Sequence, residues 1–278
     1  MIGGCMAPAL MAVSDLHVAH ERNKRLVEGM WPADPGDWLI VAGDVGELFS
    51  DIEWTLGLLA GRYEKVIWAP GNHELWTHPQ DPVTLRGEAR YRALVDLCRS
   101  IGVLTPEDDF AVWRGGGGPV TVAPLFTLYD YSFRVPEATS KEHSLQLAHD
   151  AGVVCVDEEF LHPDPYPTRE DWCWARLVES ERRLKAVDLP TVLVTHWPLV
   201  RQPTEILWYP VFAQWCGSVL TADWHTRFRA EVAVYGHLHI PRSTVYDGVR
   251  FEEVSLGYPR EWERRRLPPP LARPVFPP

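Results

Sequence analysis

The chain is short of positive charge. Its 278 residues carry 27 Lys and Arg against 38 Asp and Glu, a formal net charge of −11. Sequence-independent binding to DNA or RNA needs a basic footprint, so no nucleic-acid partner is expected. An anionic membrane surface is excluded for the same reason. A small phosphorylated substrate is not, because a bound metal ion adds its own local positive charge. No apolar run approaches the roughly 18 residues of a membrane span. Residues 1–8 lack the basic stretch and long apolar stretch of a secretion signal. Cysteine is sparse: Cys5, Cys98, Cys155, Cys173 and Cys216 are odd in number and never spaced C-x-x-C. That argues against a disulfide framework or a zinc ribbon, and reduced thiols are expected. Together these absences predict a soluble, cytoplasmic protein and leave its oligomeric state open.

The hydrophobic fraction of 46% and the charged fraction of 23% are those of an ordinary globular chain. A chain of this length can bury about 75% of its unfolded surface around one core. Short apolar runs at 9–14, 38–42, 65–69, 191–195 and 231–235 read as buried strands. Helical spacing of apolar residues falls at 21–30, 52–59, 85–100 and 170–187, with shorter candidates at 140–149 and 222–229. Residues 110–114 and 120–124 flank Gly115-Gly116-Gly117-Gly118 and read as a hairpin, not as a phosphate-cradling loop. A second hairpin is expected around Asp247-Gly248. The expected organisation is one domain over 1–262, with irregular insertions at 125–168 and 198–217. The Arg- and Pro-rich segment 263–278 reads as a disordered tail.

Five short polar motifs each follow an apolar run: Asp15-Leu16-His17, Gly43-Asp44, Gly71-Asn72-His73-Glu74, Thr195-His196 and Gly236-His237-Leu238-His239. Ligands of open α/β sheets sit outside the carboxyl ends of the strands, where all five motifs fall. Taken singly, each has a packing or turn explanation. Taken together they supply carboxylate, amide and imidazole donors, the mixed set that Zn, Mn and Fe accept. Two ions about 3.5–4 Å apart are a device for hydrolysing phosphate esters. Asp15 and His17, one residue apart, would face one side of an extended segment. Asp44 could bridge two ions. His73 adjoins Asn72 as an acid for the leaving oxygen. Glu74 either orients its neighbours or is a solvated loop charge.

In their order and spacing these residues resemble the calcineurin-like metallophosphoesterase family over about residues 9–258. The resemblance implies a four-layer α/β/β/α sandwich and two divalent or trivalent ions, commonly Mn, Fe or Zn. It implies that Asp15, His17, Asp44 and His239 hold one ion, and that Asp44, Asn72, His196 and His237 hold the other. His73 matches the family's catalytic histidine, with Asp44 also at the reaction centre. The competing readings are a hydrolase of a small nucleotide or metabolite and a non-catalytic interaction scaffold.

The segments 212–217, 235–242 and 251–262, the last containing Gly257-Tyr258-Pro259-Arg260-Glu261-Trp262, are similar to actinobacterial members that include a phosphopantetheinyl hydrolase group. This narrower likeness implies a phosphodiesterase removing 4′-phosphopantetheine from acyl carrier protein. Carrier proteins are typically acidic, so a local basic patch must offset the net charge. Arg201, Arg260 and the run Arg264-Arg265-Arg266 are the candidates. His20, Asn23, Arg201, Tyr258 and Arg260 are the expected substrate contacts. Trp76, Tyr129, Tyr131, Trp197, Trp208 and Tyr209 lie in loops near the motifs, as a pocket wall or as loop packing.

Overall fold

Strands buried on both faces read as near-continuous apolar runs, and such strands must be covered on both sides. The computed structural model, which describes residues 7–265 and 271–277, meets that demand with two stacked sheets. In the smaller sheet β1 (Leu10–Val13), β2 (Trp38–Val41) and β3 (Lys65–Trp68) run parallel. The larger sheet has the order β4 (Ala111–Trp113), β5 (Val120–Pro124), β6 (Thr191–Val194), β7 (Ala230–Tyr235), β9 (Val249–Glu253), β8 (Arg242–Tyr246). Its inner strands β5, β6, β7 and β9 are parallel, with β4 and β8 antiparallel at the two edges.

Alternate residues divide the core. Leu10, Ala12, Ile40, Ala42 and Ile67 of one sheet meet Val122, Val192, Val194, Val232 and Val234 of the other in an apolar layer. Their sequence neighbours Val13, Leu39, Val41, Trp68, Leu193 and Ala233 belong to the second cluster, which they share with the helices. On the smaller sheet's side the chain forms α1 (Glu21–Glu28), α2 (Phe49–Ala60), the one-turn α3 (Asn72–Leu75) and α4 (Gly87–Ser100). Between β5 and β6 lie α5 (Lys141–Asp150), α6 (Asp157–Phe160) and α7 (Arg169–Leu184). The short α8 (Trp224–Arg227) precedes β7, and α9 (Pro259–Arg265) follows β9. This is the expected sandwich of two sheets flanked by helices. Residues 198–217 carry the 3-10 turns Gln202–Ile206 and Pro210–Trp215. Among the described residues no helix is long and apolar enough to cross a membrane.

The segment expected to be a disordered tail differs. Its described parts complete α9 and form β10 (Arg273–Phe276), which pairs antiparallel with β1. Val275 and Phe276 are buried between the sheets, and apolar burial outweighs the disorder cue that proline gave. Residues 266–270 and 278 lie outside the described residues.

Candidate metal centre and active site

The parallel strands β1, β2, β3, β6 and β7 release their polar motifs along one shared edge. Asp15 N–H donates to Gly43 O at 2.9 Å, and Gly236 N–H to His196 O at 2.9 Å. The approach is close enough to require glycine. A Cβ on Gly43 would stand 2.5 Å from Gly71 N and 2.7 Å from His196 Nδ1, and one on Gly236 would stand 2.3 Å from Asp15 Oδ2. Asp15, His17, Asp44, His237 and His239 have φ of 54°, 41°, 55°, 70° and 55°. Left-handed backbone at a non-glycine residue costs on the order of 1–3 kcal/mol and persists only where its surroundings over-determine it. Asp15 and His17 therefore converge through left-handed turns, not through the strand alternation expected for them.

Among the described residues three groups of donors result, each with ligand atoms within 4.8 Å of one another: Asp15, His17 and His239 form the first, Asp44, His196 and His237 the second, and His17, Glu47 and His73 a third that shares His17 with the first. In the first, His239 Nε2 lies 3.0 Å from Asp15 Oδ1 and 3.2 Å from His17 Nε2. In the second, His196 Nε2 lies 3.3 Å from Asp44 Oδ2, 3.2 Å from His237 Nδ1 and 3.1 Å from Asn72 Oδ1. Asp44 stands between them, its Oδ2 also 4.0 Å from His17 Nε2.

These residues fit metal ions. Two ring nitrogens facing at 3.2 Å cannot both be unprotonated without a cation or proton between them. Nitrogens sharing a tetrahedral ion with bonds of about 2.0–2.1 Å lie about 3.3 Å apart. Asp15 and Asp44 are buried and yet held below the usual carboxylate range. Burial pushes both up, but His239 and His196 around Asp15, and His196 and His73 around Asp44, outweigh it. Burial and the neighbouring His196 bring His237 down to about 3, so it is neutral and ready to donate. Burial lowers His196 and His239 too, but Asp44 raises the former to about 9 and Asp15 the latter to about 10. Protons thus stand where cations would.

The donors are held from behind. His196 Nδ1–H donates to Ala42 O at 2.8 Å, and His239 Nδ1–H to Glu261 Oε2 at 2.8 Å. Asn72 Nδ2 donates to Asp157 Oδ1 at 2.9 Å, which turns the amide oxygen toward His196. Ser255 Oγ donates to Asp15 Oδ2 at 2.6 Å. Glu74, fully buried, accepts from Asp44 N, Val45 N and Gly71 N at 2.9–3.0 Å. It orients its neighbours and is no solvated charge. Such partners fix tautomer and ring angle.

His73 is buried beside the cluster. Its Nδ1 meets Glu47 Oε1 at 2.8 Å and its Nε2 lies 3.7 Å from Asp44 Oδ2. Burial lowers its pKa, but Asp44 and Glu47 win and raise it. Trp76 covers the ring at 3.7 Å, and its indole N–H donates to Asp157 Oδ1 at 2.6 Å.

The expected substrate contacts divide. Tyr258 stacks on His17 with centroids 4.5 Å apart, and His20, Tyr258, Pro259 and Arg260 line a cleft of about 330 Å³ beside it. Asn23 does not face that cleft. It is fully buried, with Nδ2 donating to Leu16 O and Gly257 O and Oδ1 accepting from Trp262 Nε1. Its polar atoms are used in joining α1 to α9, which corrects the reading of it as a substrate contact. No contact among the described residues joins Arg201 to the cluster. Trp76, Tyr129, Tyr131 and Trp197 are buried packing residues, whereas Trp208 and Tyr209 are exposed.

Glu47, Asp157 and Glu261 escaped the sequence reading. Glu47 sits three residues after Asp44, the one spacing that offered a signal. Asp157 comes from a distant segment with no motif around it, and Glu261, inside the stretch Gly257–Trp262 singled out above, was given no role there.

Comparison with known proteins shows the family and the fold. Residues 9–241 match the family described as calcineurin-like phosphoesterase. The acyl-carrier-protein phosphodiesterase PptH of Mycobacterium tuberculosis is 55% identical over 272 residues, covering 97% of this chain and 84% of that protein. The crystal structure of the M. tuberculosis phosphopantetheinyl hydrolase superposes with a TM-score of 0.96, covering 98% of this chain and 97% of the other. A Thermus thermophilus structure, 14% identical with a TM-score of 0.50 and 90% coverage of each chain, shares the fold. With its donors collected at the strand ends and the family match spanning them, the chain belongs to the calcineurin-like phosphoesterases.

Proposed function

We propose that this enzyme is a phosphodiesterase that removes 4′-phosphopantetheine from acyl carrier protein. Asp15, His17, Asp44 and His239 would hold one ion of Mn, Fe or Zn, and Asp44, Asn72, His196 and His237 a second. The observation that carries the catalytic reading is the pair of converging donor groups sharing Asp44, with His73 at their edge. The 55% identity to PptH over nearly the whole chain supports the choice of substrate.

When bound, such ions make hydroxide available near neutral pH and offset the phosphate charge. The chain's own residues do the rest. Glu47 engages His73 Nδ1, which leaves Nε2 facing the cluster. Attack by the water oxygen, one of its protons passing to solvent, forms one P–O bond as the bond to the carrier's serine oxygen breaks. That oxygen takes its proton from His73 Nε2. Glu47, behind Nδ1, favours the protonated ring and so lets His73 act as the acid. Tyr258 stacks against His17 and flanks the cleft, while Arg260 supplies the exposed cation at its rim.

The test is incubation of the Mn-loaded protein with holo carrier protein, with mass spectrometry reading loss of the arm. Loss of the complete phosphopantetheine group is expected. An intact carrier under conditions where a chromogenic diester is cleaved would sink the substrate and favour a small nucleotide or metabolite diester. A metal-replete protein inert toward every ester would instead restore the scaffold reading.

A further inference from the structure

We propose that the two insertions form the surface on which the carrier protein docks, with Ile206, Trp208 and Tyr209 as its apolar anchor. The inference rests on the substrate reading above. The bond to be broken joins phosphorus to a serine oxygen of the carrier, so the carrier's own backbone begins three bonds from the reacting atom. A substrate cut at the far end of a flexible arm can be held at a distance. One cut at the protein's surface cannot, and the rim of this site must therefore be an interface.

Exposed apolar residues lie in a loop that reaches the site. Trp208 is 88% exposed, Tyr209 52% and Ile206 47%. Phe212 N–H donates to Tyr209 O at 2.9 Å, and the Phe212 ring stacks 6.0 Å from that of His237. The loop is thus one hydrogen-bonded turn from a metal-ligand candidate. The other insertion exposes Val154 and Val156, and Val156 directly precedes Asp157, which holds Asn72. A bond of 2.8 Å from Trp215 Nε1 to Glu158 Oε1 ties the two insertions together. Aromatic anchors of this kind dominate the energetics of interfaces. With −11 overall, and with Glu159 and Glu205 exposed beside the patch, the enzyme has no long-range attraction for an acidic carrier, so binding on the insertion side must come from apolar contact.

The test compares Trp208→Ala/Tyr209→Ala and Trp208→Glu with wild type on holo carrier protein and on a small chromogenic diester. Selectivity, the ratio of the two kcat/KM values, should fall at least tenfold in the double variant, through KM for the carrier. It should fall further in Trp208→Glu. These side chains are exposed, and a thermal melt confirms that the variants fold. Unchanged selectivity, or equal loss on both substrates, overturns the docking surface while leaving the proposed function standing. A change from dimer to monomer with selectivity intact assigns the patch to a second copy of this chain and also overturns it. Wild-type enzyme that cleaves the diester but never the carrier refutes the substrate reading, and the docking surface with it.

Discussion

Glu261→Ala should strip metal from one donor group and spare the other. Glu261 Oε2 accepts from His239 Nδ1–H at 2.8 Å and from Tyr258 N–H at 2.9 Å. Its grip decides which ring nitrogen carries hydrogen and leaves Nε2 to face Asp15 and His17. Carboxylates behind a metal-bound histidine contribute about 10–100-fold in affinity, or about 1.4–2.8 kcal/mol. A second effect opposes this. Burial lowers His239, but Asp15 and then Glu261 raise it to about 10, so below that pH a proton competes for the same nitrogen. Removing Glu261 weakens the proton's hold as well as the metal's. The deficit should therefore widen as pH rises and proton competition fades. Equilibrium titration with Mn at several pH values reads this directly: one equivalent binds about tenfold or more weakly at the alkaline end, and the other is unchanged. Glu261→Gln keeps an acceptor oxygen and should recover part of the loss. Equal weakening of both equivalents, or none at any pH, would refute the argument, because Glu261 touches no donor of the Asp44, His196 and His237 group.

His73→Ala should retain its metals and lose about 10²–10⁴-fold in turnover on an alkyl diester. The loss should be smaller on a nitrophenyl diester, whose leaving oxygen needs no proton; equal losses would remove His73 from the acid role. Asp157→Ala strands the Asn72 amide and Trp76 indole donors, and each buried unsatisfied donor costs about 1–3 kcal/mol. A thermal melt should show the drop and Asp157→Asn should recover most of it, since its oxygen still accepts. Glu107 is held at about 2: burial raises it, but Arg176, then Arg92 and Tyr91, outweigh burial. Its folded value is the depressed one, so its contribution is present above about pH 4.5 and lost as pH falls toward 2. Glu107→Gln should flatten that slope in acid unfolding. Phe276→Ala should cost about 3–5 kcal/mol in urea, as expected for a ring buried between sheets and not for a free tail.

Five of the inner strands, β1, β2, β3, β6 and β7, were legible because each is a short apolar run covered on both faces, whereas β9, with Arg250, Glu252 and Glu253, was legible only through the turn at Asp247-Gly248. The last strand was not. Two cues for disorder, arginine and proline, dominate the stretch around it. Proline is tolerated at a sheet edge, where a strand need pair on one side only, and Pro274 stands opposite Met11 on that edge strand. What decides the fate of the segment is Val275 and Phe276 reaching the gap between the sheets, a tertiary fact that a window of local composition cannot register.

The site divides along the same line. The seven candidate donors and His73 stood out because their chemistry imposes local demands. A donor at a strand end needs glycine beside it where other loops press within 3 Å, as at Gly43 and Gly236, and those glycines mark the motif. The residues that steady the donors face no such demand. Glu47, Asp157 and Glu261 need only put one oxygen 2.8–2.9 Å from a particular nitrogen. Any segment that folds past the site can do that, from α6 inside an insertion or from α9 beyond the matched family segment. Asn23 failed in the opposite sense: proximity to Asp15 and His17 along the chain suggested substrate contact, yet the turn into α1 aims its amide at Leu16 and Gly257. Sequence adjacency therefore points to the candidate donors and to Glu74 behind them, and says little of Glu47, Asp157 and Glu261. In this enzyme the layer behind the donors is supplied largely by carboxylates whose positions only the assembled fold determines.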